Sequence, residues 1–264
     1  MRMTWMRIVY LLLVAGLPGT VVAAASVAPA DMNTRAGFDQ HPGAALPWRT
    51  TVVDSEGNVR SLASIAGGRP VILAFGYYRC PNLCDLILHG LIKTLGDMRL
   101  DASADYRVVF VSIDPRETAA DARAARTMLA GMGGSDLIAH WTLATATLAA
   151  IEALTRAAGF RYYFDAGLHQ FVHPAGVLVA TPDGHVAQYF FGVGFAAPAV
   201  RLALVDASEG KLGGVIDRLV LLCCGYDPAT GRYTLTITRI MTWLGCAFVV
   251  AMLIGFAWLR RGPR

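Results

Sequence analysis

The 264-residue sequence has little charge and few cysteines. Charged residues make up 16% of the chain against 55% for hydrophobic ones, and the net charge of +4 comes largely from terminal arginines. The middle of the chain carries no basic stripe, which argues against nucleic-acid binding. Five cysteines do not make the dense disulfide framework of a small secreted domain, and a chain of this length buries an adequate core without one. The cysteines are therefore predicted to be working thiols.

The N-terminus has the order of a secretory signal peptide. Arginines flank the start, an apolar run covers residues 8–17, and small residues follow. We predict a signal peptide over residues 1–25 and a flexible lead-in over residues 26–45. An uncleaved membrane anchor is the alternative, but Pro18 ends the apolar run early.

A second apolar segment lies near the C-terminus. Residues 240–259 carry no charge, and as a helix they match a hydrocarbon core of roughly 30 Å. They predict a transmembrane helix over residues 239–260, preceded by a juxtamembrane segment over 209–238. A buried core helix is the alternative. The arginines of the tail, residues 261–264, predict a cytoplasmic C-terminus in a single-pass protein of the bacterial cytoplasmic membrane. The main domain then faces the periplasm.

The segment between leader and span reads as an α/β domain over residues 46–208. The predicted strands cover residues 51–53, 58–61, 71–76, 107–113, 141–143, 175–180 and 186–191. The predicted helices cover residues 86–100, about 114–129 (ended by glycines 131, 133 and 134), 147–158 and 198–208. Continuous apolar strands are typical of a sheet buried on both faces. The order predicts a mixed sheet with helices on both sides.

Two cysteines follow the buried strand 71–76 in the order Cys80-Pro-Asn-Leu-Cys84. Ligands collect at the carboxyl ends of parallel strands, and Asp114 follows the next such strand. Two thiols at this spacing are able to form a disulfide or hold a soft metal ion. A helix N-terminus and the charge of Arg79 favour the thiolate. Thioredoxin-type oxidoreductases usually have Cys-x-x-Cys instead, so the spacing leaves both uses open.

A metal held by two sulfurs needs a further ligand, and the chain has six histidines. His173 directly precedes the predicted strand 175–180, so the sheet topology is able to bring it to the cysteines. His169 has helical spacing to His173, but Pro174 argues against a helix there. From spacing alone, a purely structural role for His173 remains the alternative.

Three motifs together resemble the SCO/SenC family, thioredoxin-fold copper proteins involved in cytochrome c oxidase assembly. The motifs are Phe75-Gly76-Tyr77-x-x-Cys80-Pro81-x-x-Cys84, Val111-Ser112-Ile113-Asp114-Pro115-Arg116-Glu117-Thr118 and the late His173. The resemblance covers roughly residues 46–207 and implies a thioredoxin-like fold. It implies copper as the bound metal, Cys80, Cys84 and His173 as ligands, and Asp114 as a supporting residue. The family usually has proline where this chain has Asp85, and it more often carries an N-terminal anchor.

The resemblance implies a metallochaperone that delivers copper to the dinuclear copper centre of cytochrome c oxidase subunit II, or to a related copper-oxidase partner. Two thiolates and an imidazole suit Cu(I), although zinc takes similar ligands. The alternative is an enzyme: a thiol–disulfide oxidoreductase that cycles a Cys80–Cys84 disulfide to reduce the acceptor cysteines. A thiol peroxidase is disfavoured because no Pro-x-x-x-Thr-x-x-Cys pattern surrounds Cys80.

The remaining cysteines lie near or within the predicted span. Cys223 and Cys224 are adjacent, and they are either small semi-buried residues or a secondary thiol site that passes on copper or electrons. Cys246 lies inside the span and is predicted to pack there.

Overall fold

The computed structural model describes residues 35–80, 84–98, 100–101 and 104–212, with isolated positions at 226–227, 232–233, 243, 245, 248–249 and 252. The side chains of Cys84 and Asp85 lie outside this description. So do the predicted signal peptide, Cys223, Cys224, Cys246 and all but those isolated positions of the predicted transmembrane helix. Within the described part of the chain, no helix combines the length and apolar character needed to cross a bilayer.

The described strands and helices alternate along the chain. The strands are β1 (Gly37–Phe38), β2 (Thr51–Asp54), β3 (Val59–Ser61), β4 (Val71–Gly76), β5 (Arg107–Ser112), β6 (Trp141–Thr145), β7 (Phe160–Arg161), β8 (Tyr163–Asp165), β9 (Gln170–Val172), β10 (Gly176–Ala180), β11 (Val186–Phe191), β12 (Tyr226–Asp227) and β13 (Arg232–Tyr233). The helices are α1 (Leu62–Ala66), α2 (Cys84–Asp97), α3 (Ala119–Leu129), a π-helical turn (Ala130–Gly134), α4 (Ser135–Ala139), α5 (Leu148–Ala157) and α6 (Ala197–Ser208).

Among the described residues, seven strands form the central sheet in the order β11-β10-β4-β5-β6-β2-β3. The three central strands β4, β5 and β6 are parallel. Antiparallel hairpins complete both sides, with β10 beside β4 and β2 beside β6. The predicted mixed sheet flanked by helices is therefore confirmed.

The sheet has a separate apolar core on each face, which explains why its central strands are continuously apolar. Along β4, Val71, Leu73 and Phe75 pack into one core, and Ile72 and Ala74 into the other. The first core includes residues of α1 and α5. The second includes residues of α2, α3 and α6. Because both faces are covered, a polar residue on either face would be buried without water.

The predicted strands and helices were close to those observed, with several differences. The prediction lacked helix α1 and the short strands β1, β7, β8, β9, β12 and β13, and α3 begins at Ala119, later than the predicted residue 114. Helix α2 is described from Cys84 and ends at Asp97, before the predicted end at residue 100. The glycines after α3 were predicted to end the helix, but the chain continues through a π-helical turn and α4. Glycine weakens a helix by about 1 kcal/mol relative to alanine, and packing against the core offsets a cost of that size. Ile138 of α4 is buried in that core.

Candidate functional site

Three segments meet at the carboxyl ends of β4 and β5. Gly76 pairs with Ser112, and the backbone N–H of Ile113 donates to the carbonyl of Gly76 at 2.7 Å. Strand β10 runs antiparallel to β4 and therefore begins at this same end, at Gly176. We call this region the cysteine end; it comprises residues 76–80, 112–118 and 173–176. The topology thus brings the first cysteine, the Asp114 loop and the segment before β10 together, as parallel-strand ends do in such sheets.

Cys80 lies in the turn that follows β4. It is half-buried and packs against the core that includes Phe75, Tyr77 and Phe160. This core lies on the α1/α5 face of the sheet. The sulfur-bearing residue is thus supported by aromatic side chains on one side of the sheet.

His173 lies on that same face. Its side chain is buried, with 8% of the residue exposed. The imidazole ring packs edge-on against Tyr77, with centroids 5.9 Å apart, and against Phe160 at 6.0 Å. Both aromatic residues belong to the core that Cys80 packs against. His173 and Cys80 therefore lie on the same side of the sheet. The opposite arrangement would have excluded a shared metal site.

A hydrogen bond defines the tautomer of His173. Its Nδ1 lies 3.0 Å from the carbonyl oxygen of Pro174. A carbonyl oxygen only accepts, so Nδ1 carries the proton and, in the neutral ring, Nε2 carries the lone pair. Histidines that bind metals commonly donate the other ring N–H to a carbonyl or carboxylate, which fixes the ring orientation. His173 therefore has the tautomer suited to coordination through Nε2.

The second cysteine of the motif is described only by its backbone. Cys84 is the first residue of helix α2 that the structure describes. Where a cysteine lies in the first turn of a helix, the local potential stabilises its thiolate. The side chain of Cys84 lies outside the described residues. Among the described side chains, no group of three histidine, cysteine, aspartate or glutamate residues is arranged to hold a metal ion. The predicted set of Cys80, Cys84 and His173 therefore stays a prediction.

Asp114 is buried at the cysteine end and bonds to a neighbour in its own loop. Its carboxylate accepts hydrogen bonds from Nε and Nη2 of Arg116, at 2.8 and 2.7 Å. Burial raises the pKa of Asp114, but these bonds and the charges of Arg116 and Arg79 outweigh it, and the net pKa is lowered. The Arg116 guanidinium also lies over the ring of Phe171 in β9, 5.8 Å from its centroid. Asp114 thus orients an arginine that contacts the hairpin leading to His173.

Glu117 holds the backbone of the cysteine loop, a role that the sequence analysis did not predict although the residue lies inside the Asp114 motif. The residue is 5% exposed. Its Oε2 accepts from the backbone N–H of Tyr78 at 2.8 Å and from the hydroxyl of Ser112 at 2.6 Å, and its Oε1 accepts from the backbone N–H of Arg79 at 2.7 Å. Burial raises the pKa of Glu117 despite these hydrogen bonds. The signal available in the sequence was an acidic residue five positions after the end of the buried strand β5, which lies next to the cysteine strand.

Arg79 differs from the expectation that its charge acts on the thiols. Its guanidinium forms a two-pronged ion pair with Asp121 of α3, with Nε and Nη2 at 3.0 and 2.9 Å from Oδ1. This pairing directs much of the positive charge to the carboxylate. Asp121 also caps α3 by accepting from the backbone N–H of Thr118, so the pair joins the cysteine loop to the start of that helix.

The other histidines lie away from the cysteine end. His185 is in the turn between β10 and β11 and pairs with Asp183 at 3.0 Å. His89 is exposed on α2, and its Nε2 contacts the sulfur of Met132 in the π-helical turn. His169 is exposed in the turn between β8 and β9, with a left-handed φ of 51°. These three histidines are therefore accessible to solvent.

A family model described as SCO1/SenC matches residues 42–200, which is more than half of the chain. The chain belongs to the SCO1/SenC family. This match spans the cysteine loop, the Asp114 loop and His173. The comparison with curated proteins gives no match.

Solved structures with the same fold include members of this family. A candidate electron transfer protein from Aquifex aeolicus VF5 is 27% identical, with a TM-score of 0.57, covering 65% of this chain and 96% of that one. BsSco, described as a member of the Sco family of cytochrome c oxidase assembly proteins with a disulfide switch, is 17% identical (TM-score 0.52; coverage 65% and 98%). Arabidopsis thaliana ScoI with copper bound is 16% identical (TM-score 0.50; coverage 61% and 96%). These likenesses confirm the thioredoxin-like fold expected for the family.

Proposed function

We propose that this protein binds one copper ion through Cys80, Cys84 and His173 and delivers it to the dinuclear copper centre of cytochrome c oxidase subunit II during assembly. The copper is cargo, which the protein acquires and then passes to the acceptor. The observation that carries the proposal is the position of His173, whose ring shares an aromatic support with Cys80 and has its proton on Nδ1.

The chemistry of the donor set supports copper as the cargo. Two thiolates are soft ligands that favour Cu(I), and an imidazole nitrogen suits either valence of copper. A dithiol loads metal only when reduced, so copper binding is coupled to the redox state of the Cys80–Cys84 pair. Family membership adds weight, because the solved ScoI of Arabidopsis thaliana contains copper and BsSco belongs to a family of oxidase assembly proteins.

The cellular placement is part of the proposal. The leader over residues 1–25 and the span over 239–260 would tether the domain to the bacterial cytoplasmic membrane on its periplasmic side. A tethered domain searches only the membrane surface for its partner, and this raises the effective concentration of a membrane-bound acceptor.

A second candidate function is a thiol–disulfide oxidoreductase that reduces the acceptor cysteines before copper is loaded. The observation in its favour is that Cys84 is the first described residue of helix α2 in a thioredoxin-like fold, since a helix N-terminus stabilises a thiolate. The disulfide switch described for BsSco is consistent with this chemistry. The two functions differ in their need for His173, because dithiol exchange requires no third ligand.

The deciding experiment measures Cu(I) affinity of the full-length, reduced protein in detergent by competition with a chromophoric Cu(I) chelator. We compare the wild type with Cys80→Ala, His173→Ala and the control His185→Ala. The control removes an imidazole from the turn between β10 and β11, at the other end of β10 from His173. Loss of a residue that only hydrogen-bonds to a metal ligand already lowers metal affinity by about 10–100-fold, so loss of a ligand is expected to cost more.

The expected result is one copper per wild-type chain, a large loss for the Cys80 and His173 variants, and wild-type affinity for His185→Ala. If His173→Ala keeps wild-type affinity, the chaperone assignment loses its third ligand. In that case the oxidoreductase becomes the better description.

A further inference from the structure

The turn that carries Cys80 leaves the sheet, and its backbone therefore needs hydrogen-bond partners from elsewhere. Strand β4 ends at Gly76, and residues 78–79 form a turn before Cys80. Backbone N–H groups that leave a sheet in a half-buried turn cost free energy unless an acceptor or water meets them. The acceptor here is the carboxylate of Glu117, which takes the N–H groups of Tyr78 and Arg79 on separate oxygens.

The geometry of this contact restrains the loop in two directions. The oxygens of a carboxylate have a fixed separation, and the two accepted N–H groups belong to the residues directly before Cys80. Ser112, at the end of β5, donates to the same carboxylate at 2.6 Å and so fixes the carboxylate to the sheet. Hydrogen bonds to a charged acceptor are the stronger kind. One buried side chain, that of Glu117, thus fixes the position of the Cys80 loop relative to β5.

We infer that Glu117 is a positioning residue for the dithiol site, which holds the backbone of Tyr78 and Arg79 so that Cys80 meets its partners at a fixed separation. The inference rests on the proposed function for its copper readout, and a thiol readout tests it separately. Glu117 acts through the backbone and touches neither the metal nor a substrate. Its role resembles that of the outer hydrogen-bond partners that orient metal ligands.

The test compares a variant of the clamp with a variant of a buried hydrogen bond elsewhere. Glu117→Gln keeps the shape of the side chain, but its amide NH₂ does not accept from a backbone N–H, so one side of the clamp is lost. Thr181→Val is the control, because it removes a buried hydroxyl that accepts from the backbone N–H of His185 at the other end of β10. A purely structural role would lower the unfolding midpoint of both variants and change the thiol site of neither.

The full-length reduced protein is titrated with Cu(I) against a competing chelator, and the dithiol–disulfide equilibrium is measured separately in glutathione buffers. We expect Glu117→Gln to lose about 10–100-fold in copper affinity and to shift the glutathione equilibrium, while Thr181→Val stays within a few-fold of the wild type. Wild-type copper affinity in folded Glu117→Gln would overturn the inference. If the wild type binds no copper, the proposed function fails, and the glutathione equilibrium alone decides: a shift in Glu117→Gln supports the positioning role, and an unchanged equilibrium overturns it.

Discussion

The two ends of the central sheet both carry charged side chains, but at one end these bond to structural backbone groups and at the other to the loop that carries a thiol. At the end where β5 and β6 begin, a polar cleft of about 280 Å³ is lined by residues that include Asp54, Arg126 and Trp141. There Arg126 donates to the carbonyls of Ile138 and Trp141. At the cysteine end, Glu117 holds the loop before a thiol.

This difference distinguishes a structural cleft from a candidate metal site. The hydrogen bonds of the cleft join helices to strands and need no ligand to complete them. The cysteine end has a buried imidazole and a thiol-bearing turn whose backbone is held by Glu117. A single ion that passes between proteins requires ligands within reach of the surface. A deep enclosure is required only where a larger ligand must be surrounded.

Two glycines on helix α2 differ in how closely their surroundings pack, and substituting each one tests this difference. A Cβ on Gly90 would lie 1.6 Å from the carbonyl oxygen of Val193, whose loop follows β11 at the cysteine end. Gly96 has open space around it. We expect Gly90→Ala to lower the free energy of unfolding by about 3 kcal/mol through overpacking against backbone. Gly96→Ala should raise it by about 0.5–1 kcal/mol through helix propensity.

Urea unfolding of both variants measures this contrast on one helix. Equal effects from the two substitutions would mean that α2 does not pack closely against the Val193 loop.

Arg126 tests the interpretation that the opposite end is structural. Replacing it with methionine keeps an unbranched apolar stem and removes the charged donor from two backbone carbonyls and from the Ser55 hydroxyl. We expect the free energy of unfolding to fall by about 2 kcal/mol, because hydrogen bonds to charged groups contribute about 1.5–3 kcal/mol. Copper affinity of the folded protein should be unchanged. A large loss of affinity would mean that the cleft contributes to copper binding at the cysteine end.

The two buried carboxylates of the cysteine end should change stability with pH in opposite directions. The pKa of Asp114 is lowered from its ordinary value of 3.8, so its contribution to stability is present above that pH and is lost as the pH falls through the folded-state pKa. The pKa of Glu117 is raised, so its ionisation opposes folding as the pH rises through the folded-state pKa.

Urea midpoints measured from neutral pH into the acid range should fall less steeply for Asp114→Asn than for the wild type. Glu117→Gln should show a steeper decline on acidification, since it removes the group that is stabilising in its protonated form. Parallel curves for all three proteins would contradict this assignment of the shifts.

The smallest effect is expected from the exposed ion pair of the cysteine loop. The Arg79 side chain is 61% exposed, and exposed pairs contribute roughly 0.2–1 kcal/mol. Arg79→Gln should therefore change the free energy of unfolding by less than about 1 kcal/mol, because the backbone contacts to Glu117 remain. A larger loss in thermal or urea unfolding would mean that the side-chain pair, more than the carboxylate clamp, holds the loop.

Much of the fold was predictable because its signals are local. The continuous apolar run of β4 was predicted at its observed bounds, since a strand covered on both faces has no polar positions. The short strands β7, β8 and β9 were not predicted. Strand β7 pairs with β1 through Phe160 and Phe38, which lie far apart along the chain. Strands β8 and β9 are only three residues long and pair with each other.

By itself, the sequence determined the kind of chemistry: two thiols after a buried strand, and a late histidine before another. Tertiary structure decided what surrounds them. The packing of His173 against Tyr77 and Phe160 follows from antiparallel pairing of β10 with β4, and the grip of Glu117 on the cysteine loop follows from parallel pairing of β4 with β5. A chain records which donor atoms exist, whereas hydrogen bonds between residues about forty positions apart form only when the sheet has placed their strands side by side.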